Sequence, residues 1–178
     1  IGHVGYALIG LSVGSEAGIR AVLIYLAIYL FMNIGTFACI LCMRRGGRMV
    51  EGIDDLAGLG KTHPMIALAL AIFMFSMAGI PPLAGFFGKL YIFQAAIAVE
   101  FYTLAIIGVL TSVVGAFYYL RIIRIMYFDD SEDPLDQSVD REIGALLTLT
   151  GVLIVAFIAY PEPLVSNAAA AAASLFSS

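Results

Sequence analysis

Five long apolar segments alternate with short polar stretches along this chain. They cover residues 1–14, 19–43, 65–98, 103–127 and 142–160. A tail with an alanine run follows at 161–178. The apolar runs are continuous rather than alternating with polar residues, which favours membrane helices over barrel strands. The pattern predicts an all-α, polytopic transmembrane helix bundle. Because the first segment is too short to cross a bilayer alone, we interpret residues 1–160 as the C-terminal part of a longer membrane domain.

The third segment is longer than one membrane crossing requires. A straight helix over 65–98 would measure about 50 Å at about 1.5 Å per residue, whereas the hydrocarbon core is about 30 Å thick. Its middle contains residues that break or bend helices, namely Gly79, Pro81, Pro82 and Gly85. Because proline withholds a backbone N–H group from the helix, we predict a discontinuous helix broken at Pro81–Pro82. Its non-helical backbone should lie within residues 79–86.

Lys89 is the only lysine inside any of the five segments. About 16 Å of helix separates it from Glu100 at the segment's end, which places Lys89 near the middle of the bilayer. An ionisable side chain at that depth is by default a functional-site hypothesis. Together with the adjacent helix break, Lys89 predicts a proton-translocation site. The alternative is a lysine that snorkels or pairs with a carboxylate and only holds helices together.

Neutral polar side chains follow one face of the second segment. They are spaced three or four positions apart and therefore share a helix face: Tyr25, Tyr29, Asn33 and Thr36. This stripe is suited to hold ordered water or to hydrogen-bond Lys89, and equally to join neighbouring helices. In the first segment, His3 is a candidate proton relay, with a satisfied core histidine as the alternative. These five residues form a possible polar path.

The distribution of basic residues predicts the orientation of the helices. Seven Lys and Arg residues gather at one end of the predicted bundle: Arg44, Arg45, Arg48, Lys61, Arg121, Arg124 and Arg141. The other end has Arg20 alone. The positive-inside rule therefore predicts cytoplasmic loops after the second and fourth segments, with the C-terminus outside the cytoplasm.

Composition supports lipid as the solvent and limits the chemistry. Hydrophobic residues form 62% of the chain and charged residues 12%, against about 45–50% and about 25% in soluble domains. The net charge of −4 comes mostly from 129–142, and we predict no nucleic-acid partner. That acidic stretch lacks the glycine and terminal glutamate of an EF-hand loop, so we interpret it as a solvated connector. Cys39 and Cys42 lie in an apolar run with no second cysteine pair, so we predict no metal site.

The stretch FSMAGIPPLAGFFGKLYIF at 75–93 closely resembles the signature of the antiporter-like subunits of respiratory complex I, the NADH:quinone oxidoreductase. Four further stretches agree in order. They are HVGYALIGL at 3–11, IYLFMNIGTFA at 28–38, DDLAGLGKTHPMIA at 54–67 and SVVGAFYYLRIIRIMY at 112–127. The resemblance implies an antiporter-like fold of two inverted five-helix repeats, each with one broken helix, and places this chain in the second repeat. It also implies that Lys89 carries a proton.

The resemblance further implies that the subunit couples NADH-to-quinone electron transfer, carried out elsewhere in the complex, to proton pumping. No cofactor is expected on this chain, since FMN, iron–sulfur clusters, NADH and quinone would belong to other subunits. The implied partners are other membrane subunits of complex I, the lipid bilayer and protons moving over ordered water, in a bacterial inner membrane. In larger sister subunits a lysine and a histidine occupy the places of Asn33 and Tyr29. Alternatives are a subunit of a multisubunit Na⁺/H⁺ antiporter or membrane-bound hydrogenase, and a non-pumping structural scaffold.

Overall fold

The computed structural model describes residues 1–130, 135–136 and 141–177. Helices dominate it, which confirms the predicted all-α class. The elements are α1 (Gly2–Ser12), α2 (Glu16–Cys42), a hairpin of β1 (Arg44–Arg45) and β2 (Arg48–Met49), a 3₁₀ turn (Asp54–Leu56), α3 (Leu59–Thr62), α4 (Pro64–Ala78), α5 (Ala84–Ala98), α6 (Tyr102–Phe128), α7 (Arg141–Ala156) and α8 (Glu162–Phe176). Two of the described helices, α2 and α6, are each long and apolar enough to cross a membrane.

The third apolar segment forms two shorter helices, α4 and α5, with non-helical backbone at 79–83 between them. Helix α4 ends at Gly79, whose φ of +83° lies in the left-handed region that glycine adopts without steric cost. The Gly79 N–H donates to the carbonyls of Phe75 (3.2 Å) and Ser76 (3.0 Å), and the Ile80 N–H donates to Phe75 (3.1 Å). These bonds satisfy two of the carbonyls that a helix end leaves free.

Helix α2 lies at the centre of the bundle, and helices α1, α4, α5, α7 and α8 all pack against it. Its Ile24, Ile28 and Met32 side chains are almost fully buried. Helix α6 lies at the periphery and exposes large apolar side chains, including Val113 and Phe117. An apolar surface of this kind suits contact with lipid or with another membrane protein.

The residues that the sequence marked only as a tail form helix α8. Its alanine run allows close packing against α2, and Ala168 and Ala172, one helical turn apart, are buried. The Asn167 side-chain amide donates to the Pro163 carbonyl (2.6 Å) within the first turns of the helix. Residues 162–176 are therefore part of the packed bundle.

The loops after α2 and α6 meet at one end of the bundle. Gly46 and Gly47 form the turn of the β1–β2 hairpin with positive φ angles, as a two-residue hairpin turn requires. Their N–H groups donate to the Asp136 carboxylate at 3.1 and 2.8 Å, and these bonds hold the pKa of that carboxyl below its usual value. Lys61 also pairs with Asp130 at 2.7 Å.

The remaining sequence interpretations on this side concern the acidic connector and the two cysteines. Most of the connector's middle, at 131–134 and 137–140, lies outside the described residues. Cys39 and Cys42 are buried in the apolar core on α2. Within the described ranges, no group of three or more His, Cys, Asp or Glu side chains is arranged to hold a metal ion.

Candidate functional site

Lys89 lies one turn inside α5, and its side chain is only 7% exposed. The side chain points back across the helix break to the end of α4. Its Nζ donates to the carbonyls of Met77 (2.9 Å) and Ala78 (3.3 Å) and to the hydroxyl of Ser112 on α6 (2.8 Å). The Tyr6 ring lies 5.0 Å from Nζ, within the range of a cation–π contact. Three acceptors match the three N–H groups of an ammonium.

The two carbonyls that bind Lys89 belong to the last turn of α4. A helix C-terminus carries partial negative charge on its free carbonyls, and a cation there gains about 0.3–1 kcal/mol, or about 2 kcal/mol where it is partly buried. Because Gly79 and Ile80 already satisfy the carbonyls of Phe75 and Ser76, those of Met77 and Ala78 remain for the lysine. The helix break thus creates the acceptors that a buried cation requires.

The start of α5 is held to α4 by Ser76, which is fully buried. Its hydroxyl accepts a hydrogen bond from the Gly85 N–H at 3.0 Å. A Cβ atom at Gly85 would overlap the Ser76 carbonyl oxygen, so only glycine permits this approach. The predicted break residues therefore have distinct roles: Gly79 ends α4, Gly85 allows α5 to dock against it, and Pro81 and Pro82 lie in the connection.

His3 lies on α1 within a cluster of tyrosines. Its Nδ1 is 2.7 Å from the Tyr25 hydroxyl and its Nε2 is 2.9 Å from the Tyr119 hydroxyl. The imidazole also stacks on the Tyr29 ring, with 4.6 Å between centroids. With one ring nitrogen donating and the other accepting in the neutral form, His3 links the hydroxyls of α2 and α6.

A single cavity of about 330 Å³ joins the His3 cluster to Lys89. His3, Tyr6, Lys89 and Tyr119 all line it. The volume is large enough for several water molecules at about 30 Å³ each. This arrangement places an amine, an imidazole and phenol hydroxyls around one space, and all of these groups can exchange protons with water.

The predicted polar stripe on α2 divides into two parts. Tyr25 and Tyr29 belong to the His3 cluster. Asn33 and Thr36 instead donate to carbonyls of their own helix, Asn33 to Tyr29 (3.0 Å) and Thr36 to Met32 (2.8 Å). Within the described part of the chain, no hydrogen bond joins the stripe to Lys89. Of the alternatives that the sequence left open for the stripe, direct hydrogen bonding to Lys89 is not observed among these residues, and Ser112 bonds the lysine instead.

Sequence reasoning missed Ser112, Tyr119 and Tyr6. The signal for two of them was present, because Thr111–Ser112 and Tyr118–Tyr119 are polar pairs inside the otherwise apolar segment at 103–127. Ser112 and Tyr119 are seven positions apart and so lie on one helix face. Tyr6 stands one turn after His3 on α1, and only the packing of α1 against α5 brings it to the lysine.

The fold and site together define an antiporter-like membrane bundle with a buried lysine between two short helices. A family model described as "NADH:quinone oxidoreductase/Mrp antiporter, TM" matches residues 1–115, and the chain belongs to this family. Among curated relatives, NADH-quinone oxidoreductase subunit N of Paramagnetospirillum magneticum is 58% identical over 176 residues, which are 99% of this chain and 36% of the relative. The chain thus spans about a third of the length of that relative.

Solved structures share the fold. A chain of respiratory complex I from Thermus thermophilus with bound aureothin superposes with a TM-score of 0.74 at 28% identity, over 92% of this chain and 37% of that chain. A chain of the Mrp complex from Dietzia superposes with a TM-score of 0.82 at 22% identity, over 98% of this chain and 41% of that one. The similarity to the Mrp chain shows only that the two chains share a fold. The predicted relation to the complex I subunits is confirmed.

Proposed function

We propose that this chain is the C-terminal part of a proton-translocating membrane subunit of an NADH:quinone oxidoreductase, and that Lys89 is a proton carrier in it. The proposed role of Lys89 rests on one observation. The Lys89 amine is buried, yet it has three hydrogen-bond acceptors and borders a cavity large enough for water. An amine so placed can hold a proton in a site that lipid alone would not permit.

In this proposal, α4 and α5 form one discontinuous membrane span with Lys89 near its middle. Two 15-residue helices joined by five non-helical residues fit a bilayer more easily than one straight helix over 65–98. The freed backbone groups at the break bind Ser76 and Lys89 and are thereby shielded from lipid. Protons would reach and leave Nζ through the cavity shared with His3.

Electron transfer would take place on other subunits, which would hold FMN, the iron–sulfur clusters, NADH and quinone. This chain would contact other membrane subunits and lipid, in a bacterial inner membrane. The orientation follows from the charge pattern, with the loops after α2 and α6 in the cytoplasm and the C-terminus outside. The names of relatives above 50% identity support the oxidoreductase over an antiporter or hydrogenase subunit.

Substitutions of Lys89 in the full-length subunit test its role. Lys89→Met keeps similar bulk and removes the titratable nitrogen, so we expect the complex to assemble and proton uptake to fall close to background. Lys89→Arg keeps the charge but hardly releases its proton, so uptake should fall as well. The measurement is NADH-driven proton uptake by inverted membrane vesicles, normalised to the amount of assembled complex.

Lys61→Met is the matched control, because Lys61 is exposed and, among the described residues, forms its ion pair with Asp130 at the loop. It should pump as the wild type does. A structural scaffold predicts the opposite pattern at Lys89, with Arg tolerated and Met impairing assembly. Full pumping by assembled Lys89→Met complex would rule out Lys89 as an obligatory carrier.

A further inference from the structure

The three hydrogen-bond partners of Lys89 differ in what they can do. The backbone carbonyls of Met77 and Ala78 only accept hydrogen bonds, whereas the Ser112 hydroxyl can accept or donate. As an ammonium, Lys89 donates one bond to each of the three. As a neutral amine, it has two N–H groups and one lone pair, and the lone pair needs a donor.

Ser112 is the only one of the three partners that can supply this donor. In the neutral state the two remaining N–H groups can stay on the carbonyls, while the Ser112 hydroxyl turns and donates to Nζ. The hydroxyl is available for this, since Ser112 makes no other hydrogen bond to the residues that the structure describes. Its neighbour Thr111 differs, because its hydroxyl donates to the Gly108 carbonyl at 2.9 Å.

We propose that Ser112 is a positioning residue that stabilises the neutral form of Lys89 by donating a hydrogen bond to its lone pair. This inference rests on the proposed proton-carrying role of Lys89. In the release step, an N–H bond of Lys89 breaks and its proton passes to a water molecule in the cavity that Lys89 lines. The positive charge moves from Nζ to the water. The Ser112 hydroxyl, which keeps its own proton, then turns and donates it in a hydrogen bond to the neutral amine, and uptake runs in reverse.

The position of Ser112 on α6 places its hydroxyl beside Lys89 at the edge of the polar site. Gly115 and Tyr119 follow it at three and seven positions and therefore share its helix face. Both line the cavity that holds His3 and Lys89. Lys89 lines the cavity itself, together with Thr111 of α6, while the Ser112 hydroxyl is held 2.8 Å from Nζ as its hydrogen-bond partner. The carbonyls, by contrast, face Lys89 from the end of α4 and carry no exchangeable proton.

Two substitutions of nearly equal shape in the full-length subunit distinguish the effect of the Ser112 hydroxyl from the effect of side-chain volume. Ser112→Thr keeps the hydroxyl, and Ser112→Val has nearly the same shape as threonine without it. We expect the Thr variant to pump close to the wild-type rate and the Val variant to fall on the order of tenfold, as the loss of one hydrogen bond to the neutral amine predicts. Thr148→Val on α7 is the control, since that threonine is exposed and its hydroxyl donates to the Gly144 carbonyl of its own helix.

Proton uptake per assembled complex is measured in H₂O and D₂O, with Ser112→Ala as a second hydroxyl-free variant and Lys89→Met alongside. The Val and Ala variants should assemble, pump slowly and show a changed solvent isotope effect. Wild-type pumping by both, with Lys89→Met inactive, would overturn the role of Ser112 and leave that of Lys89 intact. Failure of both to assemble would assign Ser112 a structural role and also overturn the proposal. Full pumping by Lys89→Met would instead refute the proposed function itself.

Discussion

Replacement of Gly85 by alanine tests whether the close approach of α4 and α5 builds the Lys89 site. A Cβ at Gly85 would overlap the Ser76 carbonyl oxygen and lie 2.7 Å from the carbonyl carbon. Carbon atoms normally approach to about 3.5–4.0 Å, so the helix ends must separate by roughly 1 Å. The obstructing atoms belong to the backbone, and no side-chain rotation relieves the contact.

The expected cost in stability is about 1–4 kcal/mol. Overpacking of this kind costs about 1–3 kcal/mol, and the lost hydrogen bond from the Gly85 N–H to Ser76 contributes about 1 kcal/mol. The better helix propensity of alanine offsets up to about 1 kcal/mol. A separation of roughly 1 Å would also stretch the 2.9 Å bond between Lys89 and Met77 beyond hydrogen-bonding range. Gly85→Ala should therefore reduce both stability and the pumping of whatever complex assembles.

The assay compares the thermal midpoint of the purified complex and its proton uptake per assembled complex. Gly151→Ala on α7 is the control, because a Cβ there would lie an acceptable 4.0 Å from the Phe73 ring. We expect Gly151→Ala to resemble the wild type and Gly85→Ala to lose stability and uptake. A Gly85→Ala complex with wild-type stability and wild-type uptake would refute the claim that this backbone contact positions the lysine's acceptors.

Two further predictions concern the polar end of the bundle. Because the N–H groups of Gly47 and Gly46 hold the pKa of the Asp136 carboxyl below its usual 3.8, that contact should be intact at neutral pH and lost only as the pH falls below this value. Hydrogen exchange at Gly46 and Gly47 measures it, and equal protection in Asp136→Ala would contradict the contact. For orientation, a reporter fused after residue 178 should be exposed outside the cytoplasm, and one inserted within 129–140 should lie inside. The reversed pattern would refute the charge argument.

The fold class and the identity of the central residue were readable from the sequence because they depend on local composition. Continuous apolar runs determine membrane helices, since unpaired backbone groups are too costly in lipid. Gly79, Pro81 and Pro82 determine where the helix ends. Glycine permits the left-handed backbone conformation at the helix end, and proline lacks the N–H group that the next helical hydrogen bond requires. Lys89 was recognisable as the one lysine of the apolar segments. These inferences need no knowledge of what packs against what.

The partners of these residues were decided by the tertiary structure. Ser112 is 23 positions from Lys89, and Tyr119 is 116 positions from His3. A sequence pattern specifies which helix face a side chain occupies. Which helix packs against that face, and how far along its axis the contact falls, are set by the packing of the whole bundle. The polar stripe on α2 shows the difference. Its spacing places four residues on one helix face, but the sequence does not say which of them contact other helices. In the packed bundle Tyr25 and Tyr29 contact His3, whereas Asn33 and Thr36 bond to backbone carbonyls of α2. Helix periodicity is a local property, while the distance between two helices depends on every side chain that fills the space between them.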